Sequence, residues 1–132
     1  MVRARFAMLV LAGLPAAAAA DVPGTFVGPG TYATAEGCKA LREVAAGTFK
    51  GDGALPPTLT TQGFIGLEGT CSFRSVTEVE KGTKWKASLD CHEGAPAGPE
   101  SDVFERLSDG SIKVTIMGND TIFVRCDEQQ GK

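Results

Sequence analysis

Apolar and polar residues alternate from Thr70 to Glu80 and again from Thr83 to His92. Placing Glu80-Lys81-Gly82 in a three-residue loop, with Gly82 at the positive-φ position, joins the two runs as a β-hairpin. The register then sets Val79 opposite Thr83, Thr77 opposite Trp85, Ser75 opposite Ala87, Phe73 opposite Leu89 and Cys71 opposite Cys91. The other face pairs Glu78 with Lys84, Val76 with Lys86, Arg74 with Ser88 and Ser72 with Asp90. One face is mostly apolar and sulfur-bearing, the other mostly charged and polar. A slip of one residue would destroy that sorting.

Upstream, residues 30–33 read as a short edge strand. Thr34 is an N-cap, Cys38, Leu41 and Val44 or Ala45 recur at helical spacing, and Gly47 suits the C′ position, so a helix is predicted over Ala35–Ala46 with Cys38 on its inner side. Gly37 costs that helix about 1 kcal/mol relative to alanine. Residues 48–57 form a Gly- and Pro-bearing loop, 58–61 a short strand and 62–63 a turn, while Gly66 and Gly69 among apolar neighbours suggest a bend or bulge.

Downstream, the segment from Val103 to Ile116 carries a second hairpin signal. A two-residue Asp109-Gly110 turn pairs Leu107 with Ile112, Glu105 with Val114 and Val103 with Ile116. A three-residue turn at Gly118-Asn119-Asp120 then pairs Ile116 with Ile122, Val114 with Val124 and Ile112 with Cys126, which keeps one face apolar. The expected fold is mainly β: an antiparallel meander of five or six strands, a small open barrel or half-barrel, with one short N-terminal helix covering a face.

The first twenty residues change the picture of the compartment. Arg3 and Arg5 precede a short apolar run, and Ala18-Ala19-Ala20 fits a cleavage site, so residues 1–20 read as a signal peptide and 21–132 as a single exported domain. The run is far below the roughly 20 residues needed to span a bilayer, so no stable membrane insertion is expected after cleavage. Without Arg3 and Arg5 the chain carries 11 basic and 16 acidic residues, a net charge of −5. A basic nucleic-acid footprint is absent; the acidic surface would favour a basic partner, and is equally the surface of an ordinary soluble domain. The expected location is the periplasm of a Gram-negative bacterium or the medium outside the cell.

The four cysteines, Cys38, Cys71, Cys91 and Cys126, imply two disulfides in an oxidising compartment. The hairpin register favours Cys71–Cys91, which leaves Cys38–Cys126. Counted from the Val79/Thr83 pair, however, Cys71/Cys91 falls at a hydrogen-bonded position, whereas direct cross-strand bridges prefer the closer non-hydrogen-bonded one. A bulge would relieve the conflict. Without one, Cys38–Cys71 with Cys91–Cys126 is the alternative. Zinc is not expected, because no pair has C-x-x-C spacing and there is a single histidine.

That histidine, His92, sits beside Asp90 and Glu93, yet no nucleophile motif accompanies it, so a solvated strand end outweighs a general base. Glu68, Glu78, Glu80, Glu93, Glu100 and Glu105 are scattered and show no convergence for glycoside hydrolysis. Asp109-Gly110 and Gly118-Asn119-Asp120 are too short for calcium loops. No catalytic residue, metal or cofactor is therefore expected. Trp85 is either a core residue or a binding anchor. The segment containing His92, Glu93, Pro96, Pro99 and Glu100 is the candidate binding loop, because proline limits the freedom lost on docking.

The strings GFIGLEGTCSF, KWKASLDCHEG and DGSIKV, with the closing Cys126, resemble a group of small exported β-rich proteobacterial proteins with no assigned activity. That resemblance implies no catalytic residues. The chain is also similar in architecture to periplasmic lysozyme inhibitors, which are small, exported, β-rich and disulfide-tied, but their Ser-Gly-x-x-Tyr inhibitory loop is missing. The expectation is a non-catalytic binding or inhibitor-like protein whose partner is an envelope or extracellular protein. The alternatives are a small hydrolase using His92 with Asp90 or Glu93, and a domain holding a small ligand inside a partly open sheet.

Overall fold

The computed structural model describes residues 23–51, 55–66, 69–92 and 99–126. The proposed signal peptide lies outside them. A 3₁₀ turn, Pro23–Val27, leads into β1 (Tyr32–Ala33), α1 (Ala35–Ala46), β2 (Thr58–Thr60), β3 (Gly63–Gly66), β4 (Gly69–Glu80), β5 (Lys84–His92), β6 (Pro99–Arg106), β7 (Ile112–Ile116) and β8 (Asn119–Arg125). Each strand pairs antiparallel with the next, and β8 returns to β1, so the sheet is an eight-stranded closed barrel. The open five- or six-stranded meander is corrected in both strand number and closure. The deciding contact is β1, which pairs Tyr32 with Leu59 on one side and with Arg125 on the other.

Eight strands leave an interior just wide enough for side chains to fill. Aromatic rings fill it here. Phe26 lies 4.9 Å from Trp85, 5.4 Å from Phe73 and 5.2 Å from Phe104 between ring centroids. Phe104 lies 5.9 Å from Phe64, which lies 5.8 Å from Phe123. Leu59, Leu89, Ile112 and Val114 complete the core. Phe26 comes from the 3₁₀ turn, which plugs one barrel end. Gly24 permits that close approach, since a Cβ there would sit 1.9 Å from the Thr61 carbonyl oxygen.

The helix spans the predicted residues. The Thr34 hydroxyl accepts from the Gly37 N–H at 3.0 Å, and Gly47 ends the helix at φ +74°. Gly37 has a packing reason that offsets its propensity cost: an added Cβ would meet Ala33, Thr34 and Pro56 at 3.1–3.2 Å. The helix does not cover an open core face. It builds a second, smaller core on the outside of the barrel, where Cys38 packs with Ala33, Leu41, Val124 and Cys126.

The disulfides are Cys38–Cys126 and Cys71–Cys91. The β4–β5 register matches expectation at Cys71↔Cys91 and Phe73↔Leu89, then shifts twice, between Phe73 and Ser75 and between Glu78 and Glu80. These bulges put the cysteine Cα atoms 4.0 Å apart, as at a non-hydrogen-bonded pair. They also bring Val76, not Ser75, opposite Ala87 and against the core.

Both later hairpins depart from the expected register. Leu107 N–H donates to the Ser111 carbonyl at 2.9 Å, so the β6–β7 loop has three residues, with Gly110 at φ +87°. Phe104, Asp102, Ile112 and Val114 are consequently buried, rather than Val103, Glu105 and Leu107. The β7–β8 turn has two residues, Met117-Gly118, both with positive φ, so Ile112 pairs with Phe123 and Ile116 with Asn119. Val124 and Cys126 then face the helix instead of the barrel interior.

Candidate functional site

The bulge between Glu78 and Glu80 turns Glu78 onto the side of Trp85, its partner in the ladder, and leaves Glu80 opposite Lys84. The expected Glu78–Lys84 pairing is therefore corrected. One Glu78 carboxylate oxygen accepts from the Gly82 N–H at 3.1 Å, which fixes the side chain at the barrel rim. Beside it, the plug contributes Pro23, Thr25 and Phe26, and the wall contributes Ser75, Val76 and Trp85. Together they line an open groove of about 500 Å³. Its floor is the Phe26–Trp85 stack, with ring planes 24° apart. Trp85 is thus both packed into the core and present at the groove.

A second cleft, of about 330 Å³, lies where β6, the β6–β7 loop, β1 and β8 meet. Arg106 organises it. One terminal nitrogen donates to the Phe26 and Val27 carbonyls at 2.7 and 2.9 Å. The other donates to the Gly110 carbonyl at 2.9 Å and the Tyr32 hydroxyl at 3.2 Å. The guanidinium also lies 5.7 Å from the centre of the Tyr32 ring. It is engaged as a latch that ties plug, loop and β1 together, which leaves it little capacity for an anion. In the same loop, hydrogen bonds from the Ser111 hydroxyl and then its N–H hold the Asp109 carboxyl below the ordinary carboxylate range.

The expected binding loop is only partly described. His92 is exposed at the end of β5. Pro99 and Glu100 are paired opposite Asp90 and Leu89, so they open β6 and do not belong to a loop. Glu93 and Pro96 lie outside the described residues. Asp90 lies 3.7 Å from Arg74 in an exposed ion pair on the barrel surface. Among the described residues no group of three His, Cys, Asp or Glu side chains is placed to hold a metal ion, and no helix is long and apolar enough to cross a membrane.

The plug side of the groove was not predicted from the sequence, since Pro23, Pro29, Gly24, Gly28 and Gly30 break residues 21–30. The one available signal was Phe26-Val27, an apolar pair between Gly24 and Gly28. Arg106 was missed as well, since the two-residue turn left it on the face away from Leu107, Glu105 and Val103. No known protein family, curated protein or solved structure matches the chain.

Proposed function

We propose that the chain is an exported, non-catalytic binding protein that recognises an envelope or extracellular protein through the groove at its plugged end. The observation that carries this reading is the Phe26–Trp85 floor beneath the fixed Glu78 carboxylate. A stacked aromatic pair supplies apolar contact area without loss of side-chain freedom on binding, and the carboxylate favours a cationic side chain over the rings. The negative charge of the exported part acts in the same direction at longer range. The barrel interior is occupied by rings from the plug through Phe104 to Phe123. These rings favour recognition at the surface over a ligand held inside. The two disulfides fit an oxidising compartment.

Trp85 is the only tryptophan, so its fluorescence reports on the groove directly. The test is capture of partners from periplasmic extract by the wild type and by a Thr25→Arg/Ser75→Arg variant, both exposed groove positions. A partner lost with the variant, and whose purified form changes Trp85 emission of the wild type, supports the reading. A partner retained by the variant removes the groove from the account, and turnover of an ester, glycan or peptide substrate dependent on His92 replaces binding with catalysis.

A further inference from the structure

The barrel closes through a very short strand, and this leaves part of its wall without a partner among the described residues. β8 spans Asn119–Arg125, but β1 pairs only with Arg125 and Val124 before the chain turns into α1 at Ala35. In a two-residue hairpin the flanking pair, Ile116 and Asn119, is hydrogen-bonded. Asn119, Thr121 and Phe123 therefore direct their backbone groups to β7, and Asp120, Ile122 and Val124 direct theirs the other way. Cys126 follows the same alternation, since its N–H donates to the Thr31 carbonyl at 2.8 Å. Among the described residues, no strand continues β1 alongside Asp120 and Ile122. On the far side of β1, the chain before β2 carries Pro56-Pro57, and Pro57 has no N–H to offer. Among the described residues, one edge of the seam is chemically blunt and the other is open.

We infer that the exposed edge of β8 at Asp120 and Ile122 is a docking site for an extended peptide segment of another protein, added antiparallel to β8. An unpaired row of N–H and C=O groups is complementary to an extended backbone. A second barrel fits poorly, because the edge is bounded by β1 and the start of α1 at one end and by the Met117-Gly118 turn at the other. A single chain segment needs no such clearance. The outward side chains set the sequence preference. Ile122 is 43% exposed and calls for an apolar neighbour, and Asp120, also exposed, calls for a basic one two residues later in the antiparallel strand. This site is separate from the aromatic groove and does not depend on it.

Amide hydrogen exchange by NMR on the exported chain tests the edge. Thr121 and Phe123 should be protected, and Asp120 and Ile122 should exchange rapidly. The acetylated, amidated pentapeptide Thr-Val-Thr-Lys-Thr, titrated to millimolar concentration, should then shift and protect the Asp120 and Ile122 amides. The Thr-Val-Thr-Glu-Thr peptide should need about threefold more. Ile122→Pro removes the outward N–H while sparing the β7 ladder, so it should keep the fold and lose the peptide response. If that variant fails to fold, the exchange alternation and the two titrations of the wild type decide alone. Protection of Ile122 equal to that of Thr121 in the free chain, shifts elsewhere or none, or sedimentation showing a dimer that protects these amides would each overturn the inference.

Discussion

The β4–β5 hairpin and the seam where β8, β1 and β2 meet solve the same problem of holding two strands together, by opposite means. The hairpin makes nine residue pairings between neighbours in sequence. The seam makes one pairing between β1 and β2 and two between β1 and β8, across most of the chain. A short loop makes the hairpin ladder entropically cheap to form, whereas the seam must close a long loop for few hydrogen bonds. The seam is accordingly reinforced from outside the ladder. Cys38–Cys126 fastens the helix to the end of β8, and Arg106 ties the plug to Tyr32 of β1. Ladder length and covalent or side-chain reinforcement trade against each other.

Removing the two disulfides separately breaks this comparison most sharply. Cys38 and Cys126 are 88 residues apart and Cys71 and Cys91 are 20 apart. In the chain-entropy picture the Cys38→Ala/Cys126→Ala variant loses about 4–5 kcal/mol, and the Cys71→Ala/Cys91→Ala variant about 3 kcal/mol. Guanidinium unfolding of the two variants checks the order. A larger loss at the hairpin disulfide would mean that the seam does not depend on its covalent tie.

Phe104→Ala comes next, because the ring is fully buried among Phe26, Phe64 and Phe73. A loss of about 3–5 kcal/mol is expected. Leu107→Ala, at the rim of the β6–β7 loop, should cost well under half of that. The same denaturation experiment measures both, and it tests the three-residue loop, because a two-residue Asp109-Gly110 turn would reverse the order. This pair also marks where the sequence stopped being informative. The helix was legible to the residue, since Thr34 and Gly47 are local signals that act within one turn. The cysteine pairing was favoured but not settled by the expected register, and it holds because the two bulges offset a loop that lies one residue later than expected, at Lys81-Gly82-Thr83. Registers beyond a bulge or a turn were not, since one inserted residue reverses every later side chain. Barrel closure was not legible either. It rests on Tyr32 pairing with both Leu59 and Arg125, and no pattern in a two-residue strand encodes such distant partners. Of the groove, Trp85 was marked in advance and its core packing weighed, but Phe26 and the turned Glu78 depend on the plug and on a bulge.

Arg106→Met retains much of the stem and removes the fork that holds the Phe26, Val27 and Gly110 carbonyls. A loss of about 2–3 kcal/mol follows from unpairing these groups. The sharper readout is local: the Trp85 emission should shift toward that of a solvated indole, because Phe26 is no longer held over it. Arg106→Lys should recover only part of both effects, since an ammonium cannot span the same acceptors. Unchanged emission in Arg106→Met would separate the latch from the groove.

The smallest effect concerns the exposed turn beside the latch, and its sign is fixed by Asp109. Hydrogen bonds from Ser111 lower the Asp109 pKa in the folded chain. The group therefore contributes stability above its unfolded pKa of about 4, and that contribution disappears as pH falls through the lower folded value. Asp109→Asn should flatten the acid limb of the stability curve slightly and leave it unaltered on the alkaline side. Lys113 supplies the opposite limb. Its hydrogen bond and charge attraction to Glu105, 3.1 Å away and directly opposite in the ladder, raise its pKa. That contribution is complete below the unfolded lysine pKa of about 10.4 and is lost as pH rises through the raised folded value. Lys113→Met should flatten the alkaline limb. Thermal unfolding across pH, with both variants, separates the two, and an alkaline limb left unchanged in Lys113→Met would remove the Lys113–Glu105 contact from the stability of the fold.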